Sequence, residues 1–298
     1  AARRGVARDG RRRARGGGSR RSALSRNRLT LSAASPSLAA VHPMPRLLVA
    51  LPAYNEEACL PPLLNSFSKL FAEHLELDGV VIVVDDGSSD RTAEVAEKWG
   101  KRLPVHLVRH ERNKGLGEAI KTGLRTAVEL SKSDRDVIVC MDADDTHPPR
   151  FIPSMLRKIE SGADIVIASR YQRGSTQRGV PLRRQVLSWG ALLVFSTFLR
   201  LPGVRDYTCG YRAYRVSLVK KGFARYGDGI IERSGFACTD ELLVNLAALG
   251  ARIREVPFAL RYDRKVGESK IKLGLTVRET FKLISHGRAR LRAGKRPR

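Results

Sequence analysis

The stretch Asp136-Val-Ile-Val-Cys-Met-Asp-Ala-Asp144 decides the fold, because it joins an uninterrupted apolar run to two aspartates. Such a run, without polar alternation, is typical of a parallel strand that is buried on both faces. Parallel α/β sheets bind their ligands at the carboxyl ends of the strands, where Asp142 and Asp144 stand. Carboxylates are costly to bury unpaired. The pair therefore favours a site for a divalent cation, Mg²⁺ or Mn²⁺, that also holds an anion such as a diphosphate.

Apolar strands alternate with helical segments on both sides of this stretch. Strands are predicted at 47–51, 80–84, 105–108, 136–141 and 165–168, with helices between them at about 57–73, 91–99, 116–128 and 149–161. The second half is predicted to hold a loop at 170–188, an apolar helix at 189–199, strands at 211–214 and 253–260, and a helix at 239–249. The predicted fold class is α/β, a doubly wound, mainly parallel sheet with helices on both faces.

Basic charge is concentrated at the two ends of the chain, whose net charge is +25. Residues 1–43 contain eleven arginines and one acid, and residues 285–298 contain five arginines, one lysine and no acid. Both ends are expected to be disordered tails, which leaves 44–284 as the folded domain. Residues 1–43 are interpreted as an organelle transit peptide, as a gene-model artefact before a true start at Met44, or as a nucleic-acid-binding arm.

Composition also narrows the compartment and the partners. The four cysteines form no C-x-x-C pair, so neither a disulfide framework nor a zinc site is indicated, and a reducing compartment is expected. The basic tails lack interleaved aromatic residues, which argues against a nucleic-acid-binding protein. The apolar helix at 189–199 is too short to cross a bilayer. It is interpreted either as a buried helix or as one that lies at a membrane interface.

Two further loops follow strands directly, like the one after the strand that ends at Met141. Pro52-Ala-Tyr-Asn-Glu-Glu57 is either a plain strand-to-helix turn with an Asn cap or a loop whose Tyr54 stacks on a base. Asp85-Asp-Gly-Ser-Ser-Asp90 places two like charges side by side, which favours a carboxylate that bonds a base or a ribose hydroxyl. In the third loop, His147 is interpreted as a turn residue rather than a ligand.

Together these loops resemble the family-2 inverting glycosyltransferases with the GT-A fold, a Rossmann-like α/β fold. Within that family the closer resemblance is to the polyprenyl-phosphate sugar transferases, the dolichol-phosphate mannosyltransferase-like branch. The matching segments are Pro52–Glu57, Asp85–Asp90, Asn113–Gly117, Asp142–Pro149, Ser169–Tyr171, Gly210–Arg215 and Gly267–Lys270. They span about 46–284. Two of the later segments, Ser169–Tyr171 and Gly267–Lys270, are what narrows the resemblance to this branch.

The resemblance implies a role for each matching position. It implies donor-binding residues at Pro52, Tyr54, Glu56, Val84, Asp86, Asp142, Ala143, Asp144, Arg264 and Lys270. It implies metal ligands at Asp142, Asp144 and Thr146, and an acceptor-phosphate site at Arg170 and Arg184. Arginine suits the last role because its planar fork matches phosphate oxygens. Asp142, Asp144, Arg170 and Asp240 are the candidate catalytic residues.

The implied function is inverting, metal-dependent transfer of a hexose, mannose from GDP-mannose, onto a polyprenyl phosphate. A phosphate monoester is largely ionised at pH 7 and needs no strong base. The alternative is a UDP-glucose or similar donor with a sugar-hydroxyl acceptor, for which Asp240 or Glu241 would be the base. Thr146, Asp145 and the segment 236–241 depart from the family pattern and leave the donor open.

A lipid acceptor implies work at a membrane surface. We expect peripheral attachment through the 189–199 helix and the basic tail, or a separate membrane-anchor subunit. The expected location is the cytoplasmic face of a membrane, or a plastid or mitochondrion if residues 1–43 are a transit peptide.

Overall fold

A computed structural model of the protein describes residues 45–233, 235, 237–264 and 273–294, all within one compact unit, 43–298. The strands are β1 (Leu47–Ala53), β2 (Gly79–Asp85), β3 (Val105–Arg109), β4 (Val137–Cys140), β5 (Ile165–Ser169), β6 (Thr176–Arg178), β7 (Arg212–Arg215), β8 (Ile253–Pro257) and β9 (Ala259–Arg261). The α-helices are α1 (Leu60–Glu73), α2 (Thr92–Trp99), α3 (Leu116–Leu130), α4 (Ile152–Glu160), α5 (Leu182–Phe198), α6 (Val216–Tyr226), α7 (Ala237–Ala247) and α8 (Leu273–Gly294). Short 3₁₀ helices lie at Pro149–Phe151, Gly227–Ile230 and Tyr262–Arg264.

Seven strands form the main sheet in the order β3-β2-β1-β4-β7-β5-β8. Its pairings are parallel except those of β7, which runs antiparallel between β4 and β5. β6 and β9 pair in a separate parallel ribbon. The α/β fold class with a mainly parallel sheet is confirmed. What the sequence did not show is that β7 enters the middle of the sheet.

The core forms where apolar strands and helix faces meet. The central strands β1 and β4 are almost wholly buried, as expected for strands covered on both faces. On α1 the buried residues recur at helical spacing: Leu60, Leu63, Leu64, Phe67 and Leu70. α3 approaches the sheet closely at Gly123, where an added Cβ would stand 3.0 Å from the Cβ of Ala50. The close approach explains the glycine in mid-helix.

The strand order also creates the crevice that the site occupies. β1 lies between β2 and β4, so the chain moves outward in one direction after β1 and in the other direction to reach β4. Doubly wound sheets bind ligands at such a switch point, outside the carboxyl ends of the strands. The loops 52–57, 85–92 and 142–149 therefore lie at one edge of the sheet.

Several predicted elements differ in extent. α5 begins at Leu182, seven residues before the predicted start, because Pro181 precedes it and a proline is suited to the start of a helix. The predicted strand 253–260 is divided into β8 and β9, because Pro257 has no N–H with which to continue the sheet ladder. α6 was not predicted. α8 continues through the expected tail as far as Gly294.

Asp136 anchors the start of β4 and with it the position of the aspartate loop. Its carboxylate is 3% exposed and accepts hydrogen bonds from the main-chain N–H groups of Arg46 (3.1 Å), Lys132 (2.6 Å) and Ser133 (2.9 Å). The Ser133 hydroxyl donates a further bond of 3.0 Å.

We expect Asp136→Ala to lower the free energy of unfolding by about 2–3 kcal/mol, because three main-chain donors lose their charged acceptor. The measurement is urea denaturation followed by circular dichroism. Asp134→Ala is the matched control, because the Asp134 side chain is 70% exposed and its ion pair with Lys220 lies at the surface. An equal loss of stability in both variants would contradict the anchoring role.

Candidate active site

Asp142 and Asp144 follow β4 at the crevice, but their environments differ. The Asp142 side chain is 38% exposed, whereas Asp144 is 7% exposed. Asp144 Oδ1 accepts hydrogen bonds from the Thr146 hydroxyl (2.6 Å) and from the Thr146 main-chain N–H (3.2 Å). The Thr146 hydroxyl thus orients Asp144, and its role as a metal ligand stays a prediction. Ala143 between them is 2% exposed, so its side chain belongs to the core.

His147 forms the wall behind Asp142. Its ring stacks on Tyr211 at 5.3 Å between centroids and meets Phe258 edge-on at 5.8 Å. The main-chain N–H of Asp142 donates to His147 Nδ1 at 3.3 Å, so this nitrogen acts as an acceptor. His147 therefore packs against two aromatic rings and supports the aspartate loop, whereas the sequence indicates a turn residue at this position.

The chemistry of the aspartate pair suits Mg²⁺ or Mn²⁺. Within the described ranges, no group of three or more His, Cys, Asp or Glu side chains is arranged to hold a metal ion. Mg²⁺ does not require such a group, since it is commonly bound by one or two carboxylates together with substrate phosphates and water. Asp142 is partly open to solvent and Asp144 is oriented by Thr146, and their role as metal ligands stays a prediction.

The first two loops hold each other in place. The Asn55 N–H donates to Ser88 Oγ (2.9 Å), and the Ser89 N–H donates back to Asn55 Oδ1 (2.8 Å). The Glu56 N–H donates to Thr92 Oγ1 at 2.8 Å. Asn55 has a φ of 52°, a left-handed conformation that asparagine tolerates well. This reciprocal bonding makes the loop that carries the predicted nucleoside contacts a preformed surface.

Among the predicted nucleoside contacts, the structure separates half-buried from buried residues. Pro52, Tyr54 and Glu56 are half-buried at the crevice. Val84 is fully buried beneath α3, with a methyl group 3.4 Å from the position of a Cβ at Gly123. The Val84 side chain is therefore part of the core, and its contact with a donor stays a prediction.

Asp85 and Asp86 are adjacent acids with separate partners. Asp85 accepts the Ser88 N–H at 3.0 Å and closes the turn between them. Asp86 is 3% exposed and accepts the main-chain N–H groups of Lys114 (2.9 Å) and Gly115 (2.8 Å). Its Oδ1 also lies 2.6 Å from Nδ1 of the buried His110. Asp86 thus organises the 113–117 segment. The sequence did not reveal this role, because Lys114 and Gly115 lie 28 and 29 residues from Asp86.

Arg170 lies in a buried ion pair with Asp206, which the sequence analysis missed. Arg170 Nε and Nη2 donate to the two Asp206 carboxylate oxygens at 2.8 and 2.6 Å, and Nη2 also contacts the Thr208 hydroxyl at 2.6 Å. Asp206 is fully buried. Burial lowers the pKa of Arg170 and Asp206 raises it, with a net rise that keeps the guanidinium charged. The guanidinium is therefore fixed in orientation.

The remaining predicted cations are only partly described. Arg184 lies in α5, but its side chain is outside the described part of the structure. Lys270 lies outside the described residues altogether. Arg264 ends the 3₁₀ helix after β9, and its Nη1 lies 3.4 Å from Asp145 Oδ2 beside the aspartate loop.

Asp240 and Glu241, the two candidate bases, begin α7 in different surroundings. Asp240 is 6% exposed and lies 3.6 Å from Nη2 of the fully buried Arg212. Burial raises the pKa of Asp240 to about 7, against the opposing effect of Arg212. Glu241 accepts the main-chain N–H groups of Glu232 and Arg233, each at 2.8 Å. Glu241 is therefore a structural acceptor, whereas the pKa of Asp240 suits a base that works near neutrality.

Comparison with known proteins agrees with this architecture. A family described as "Glycosyl transferase family 2" matches residues 48–223. The chain is 34% identical over 241 residues to a dolichol-phosphate mannosyltransferase of Pyrococcus furiosus, with 80% of this chain and 62% of that protein covered. The chain thus spans less than two thirds of that relative. It is 35% identical over 252 residues to a polyprenol monophosphomannose synthase of Mycolicibacterium smegmatis, with 84% and 89% covered.

A solved structure shares the fold. Glucosyl-3-phosphoglycerate synthase from Mycobacterium tuberculosis, in complex with Mn²⁺, UDP and glucosyl-3-phosphoglycerate, superimposes with a TM-score of 0.56 at 22% identity. The match covers 83% of this chain and 80% of that one. The family match extends over more than half of the sequence, and the chain therefore belongs to glycosyl transferase family 2.

Proposed function

We propose that the protein transfers mannose from GDP-mannose to a polyprenyl phosphate with inversion of configuration, using Mg²⁺ or Mn²⁺. The names of the relatives support the mannosyl group and the polyprenyl phosphate acceptor. The observation that carries the proposal is that Asp142 and Asp144 follow β4, whereas the fixed guanidinium of Arg170 follows β5. β4 and β5 run parallel on either side of β7, so both groups lie at the same edge of the sheet. One side of such a site suits a cation and a diphosphate, and the other suits a second phosphate.

The donor side would bind the nucleotide through the preformed loops and the aspartates. Asp142 and Asp144 would hold the cation, which when bound supplies positive charge to the diphosphate leaving group. Mn²⁺ in the related fold is consistent with this choice of ion. Tyr54 and Glu56 would contact the nucleoside from the loop that Ser88 and Thr92 hold.

The acceptor side would rely on Arg170. Asp206 binds Nε and Nη2, and an acceptor phosphate oxygen would bind the remaining nitrogen, Nη1. That oxygen forms a bond to the anomeric carbon as the bond from this carbon to the diphosphate breaks, and the nucleoside diphosphate departs. Because the phosphate is already ionised, no residue has to remove a proton from it.

Asp142→Ala is expected to lower the transfer rate at least about a hundredfold, because the cation loses one of two carboxylates that stabilise the leaving group. The measurement is radiolabelled mannose transfer to a polyprenyl phosphate. Asp134→Ala, which removes an exposed acid elsewhere, should leave the rate unchanged. Loss of the Mn²⁺-dependent rise in thermal midpoint with GDP would accompany the loss of transfer. Full activity in Asp142→Ala would contradict the metal assignment.

A second candidate, transfer to a sugar hydroxyl, is favoured by the raised pKa of Asp240. A hydroxyl acceptor needs a base, and a buried carboxyl with a pKa of about 7 is suited to that role. The ion pair with Arg212 gives Asp240 a structural role that explains its burial without catalysis. A variant at this position therefore separates the two acceptors.

With a phosphate acceptor, which needs no base, Asp240→Asn is expected to lower kcat less than about tenfold. Loss of a working general base would lower kcat about 10²–10⁴-fold. Asn keeps an oxygen toward Arg212, and thermal unfolding checks that the fold survives. With a hydroxyl acceptor, the wild-type rate would rise with pH through about 7 as Asp240 loses its proton, and the variant would lose that rise. A hundredfold loss in a folded variant would favour the hydroxyl acceptor.

We also propose peripheral attachment to a membrane through α5, or through a separate anchor subunit. No helix in the described part of the chain combines the length and apolar character that crossing a bilayer requires. α5 instead exposes four apolar side chains at helical spacing: Leu182, Val186, Trp189 and Leu193. They are 57–73% exposed, which is typical of a helix that meets lipid rather than a core. The exposure of Trp189 and Leu193 thus does not support the interpretation of the 189–199 segment as a helix buried on all sides.

The double variant Trp189→Ser/Leu193→Ser is expected to bind anionic vesicles about tenfold or more weakly, because less apolar area enters the interface. The measurement is co-sedimentation with vesicles of phosphatidylcholine and phosphatidylserine. Leu75→Ser is the matched control, since Leu75 is 87% exposed in the link between α1 and β2. Equal binding by the double variant and the wild type would exclude α5 as the contact.

A further inference from the structure

Asp145 is a third acid in the aspartate loop, and the proposed cation site does not use it. It is 5% exposed, and its Oδ2 lies 3.4 Å from Arg264 Nη1. Its Oδ1 is buried and has no hydrogen-bond partner among the described residues. A buried carboxylate that is only half satisfied is unfavourable. The presence of such a carboxylate next to Asp142 and Asp144 indicates a role beyond stability.

The pair of Asp145 with Arg264 is weak in comparison with that of Asp206 with Arg170. Arg170 makes short contacts through two nitrogens, and its side chain is 15% exposed. Among the described residues, Arg264 makes one contact, at the long end of the hydrogen-bond range, and its side chain is 36% exposed. A guanidinium has five N–H donors, so most of the donors of Arg264 face other groups or solvent. Arg170 is thus locked, and Arg264 is free to exchange partners.

The main chain next to Arg264 does not depend on this ion pair. The Arg261 N–H donates to the Thr146 carbonyl oxygen at 3.0 Å, which ties the end of β9 to the aspartate loop. Loss of the Asp145 carboxylate would therefore release the Arg264 side chain without releasing the segment that carries it.

We propose that Asp145 is a positioning residue that competes with the donor diphosphate for Arg264. The inference rests on the proposed function, in which a diphosphate binds beside Asp142 and Asp144. Before donor binding, Asp145 holds the guanidinium next to the site. The diphosphate, which carries more negative charge, then takes Arg264 from Asp145. After transfer, Asp145 takes the guanidinium back and promotes release of the nucleoside diphosphate.

The backbone at Asp145 determines which variants test this competition. Its φ of 56° lies in the left-handed region, which asparagine and glycine tolerate and larger apolar residues do not. Asp145→Asn removes the charge and keeps the shape, and Asp145→Gly removes the side chain. Both should bind GDP about three- to tenfold more tightly than the wild type, with correspondingly slower dissociation. The measurements are calorimetry and stopped-flow fluorescence, with Mn²⁺ and again with EDTA.

A double-mutant cycle with Arg264→Gln shows whether Asp145 acts through Arg264. Arg264→Gln alone should weaken GDP binding, and Asp145→Asn should then add no tightening, because the contested guanidinium is absent. Asp134→Asn, which changes the net charge equally at a distant exposed site, should bind GDP as the wild type does. Tightening of equal size in the Arg264→Gln background would show that Asp145 only repels the diphosphate, which overturns the inference.

The remaining outcomes separate this inference from the proposed function. If the wild type binds neither GDP nor UDP, the proposed donor site itself is contradicted. If the wild type binds GDP and the Asp145 variants bind it equally or more weakly, the donor site stands and the competition for Arg264 is overturned.

Discussion

A carboxylate at the buried edge of a sheet must be matched by hydrogen-bond donors or by a cation, and this requirement organises the structure around the crevice. Asp85 is matched by a turn N–H, Asp86 by two main-chain N–H groups and His110, and Asp144 by the hydroxyl of Thr146. Asp142 keeps the most exposed side chain of these acids. Hydrogen bonds therefore fix the orientation of the other carboxylates, whereas Asp142 is partly open to solvent.

Three arginines near the crevice differ in burial and in how closely their partners hold them. Arg212 is fully buried and supports the start of α7 through the Thr239 carbonyl and Asp240. Arg170 is held by Asp206 in a fixed orientation and is 15% exposed. Arg264 makes one long contact with Asp145. From Arg212 through Arg170 to Arg264, the side chain becomes more exposed, and Arg264 is held by a longer contact than Arg170.

The antiparallel strand β7 brings the second half of the chain to the aspartate loop. Because β7 pairs with β4, Gly210 at its start lies beside the aspartates, with an added Cβ only 3.7 Å from Asp142 Oδ1. The same strand carries Arg212 to Asp240. β5, on the other side of β7, ends next to Arg170. Asp142 and Arg170, from distant parts of the sequence, therefore lie at the same edge of the sheet because one strand reverses direction.

The sequence by itself determined the α/β class, the aspartate loop and the family. Apolar runs, helical periodicity and polar motifs at strand ends each lie within a short stretch of sequence, so they can be recognised without the structure. Only the tertiary structure decided the partners of those motifs: His110 for Asp86, Asp206 for Arg170 and Arg264 for Asp145. These contacts join residues 24, 36 and 119 positions apart, and no spacing rule links them. Burial and partner choice, which set the charge state and freedom of each side chain, exist only once the sheet has brought the loops together.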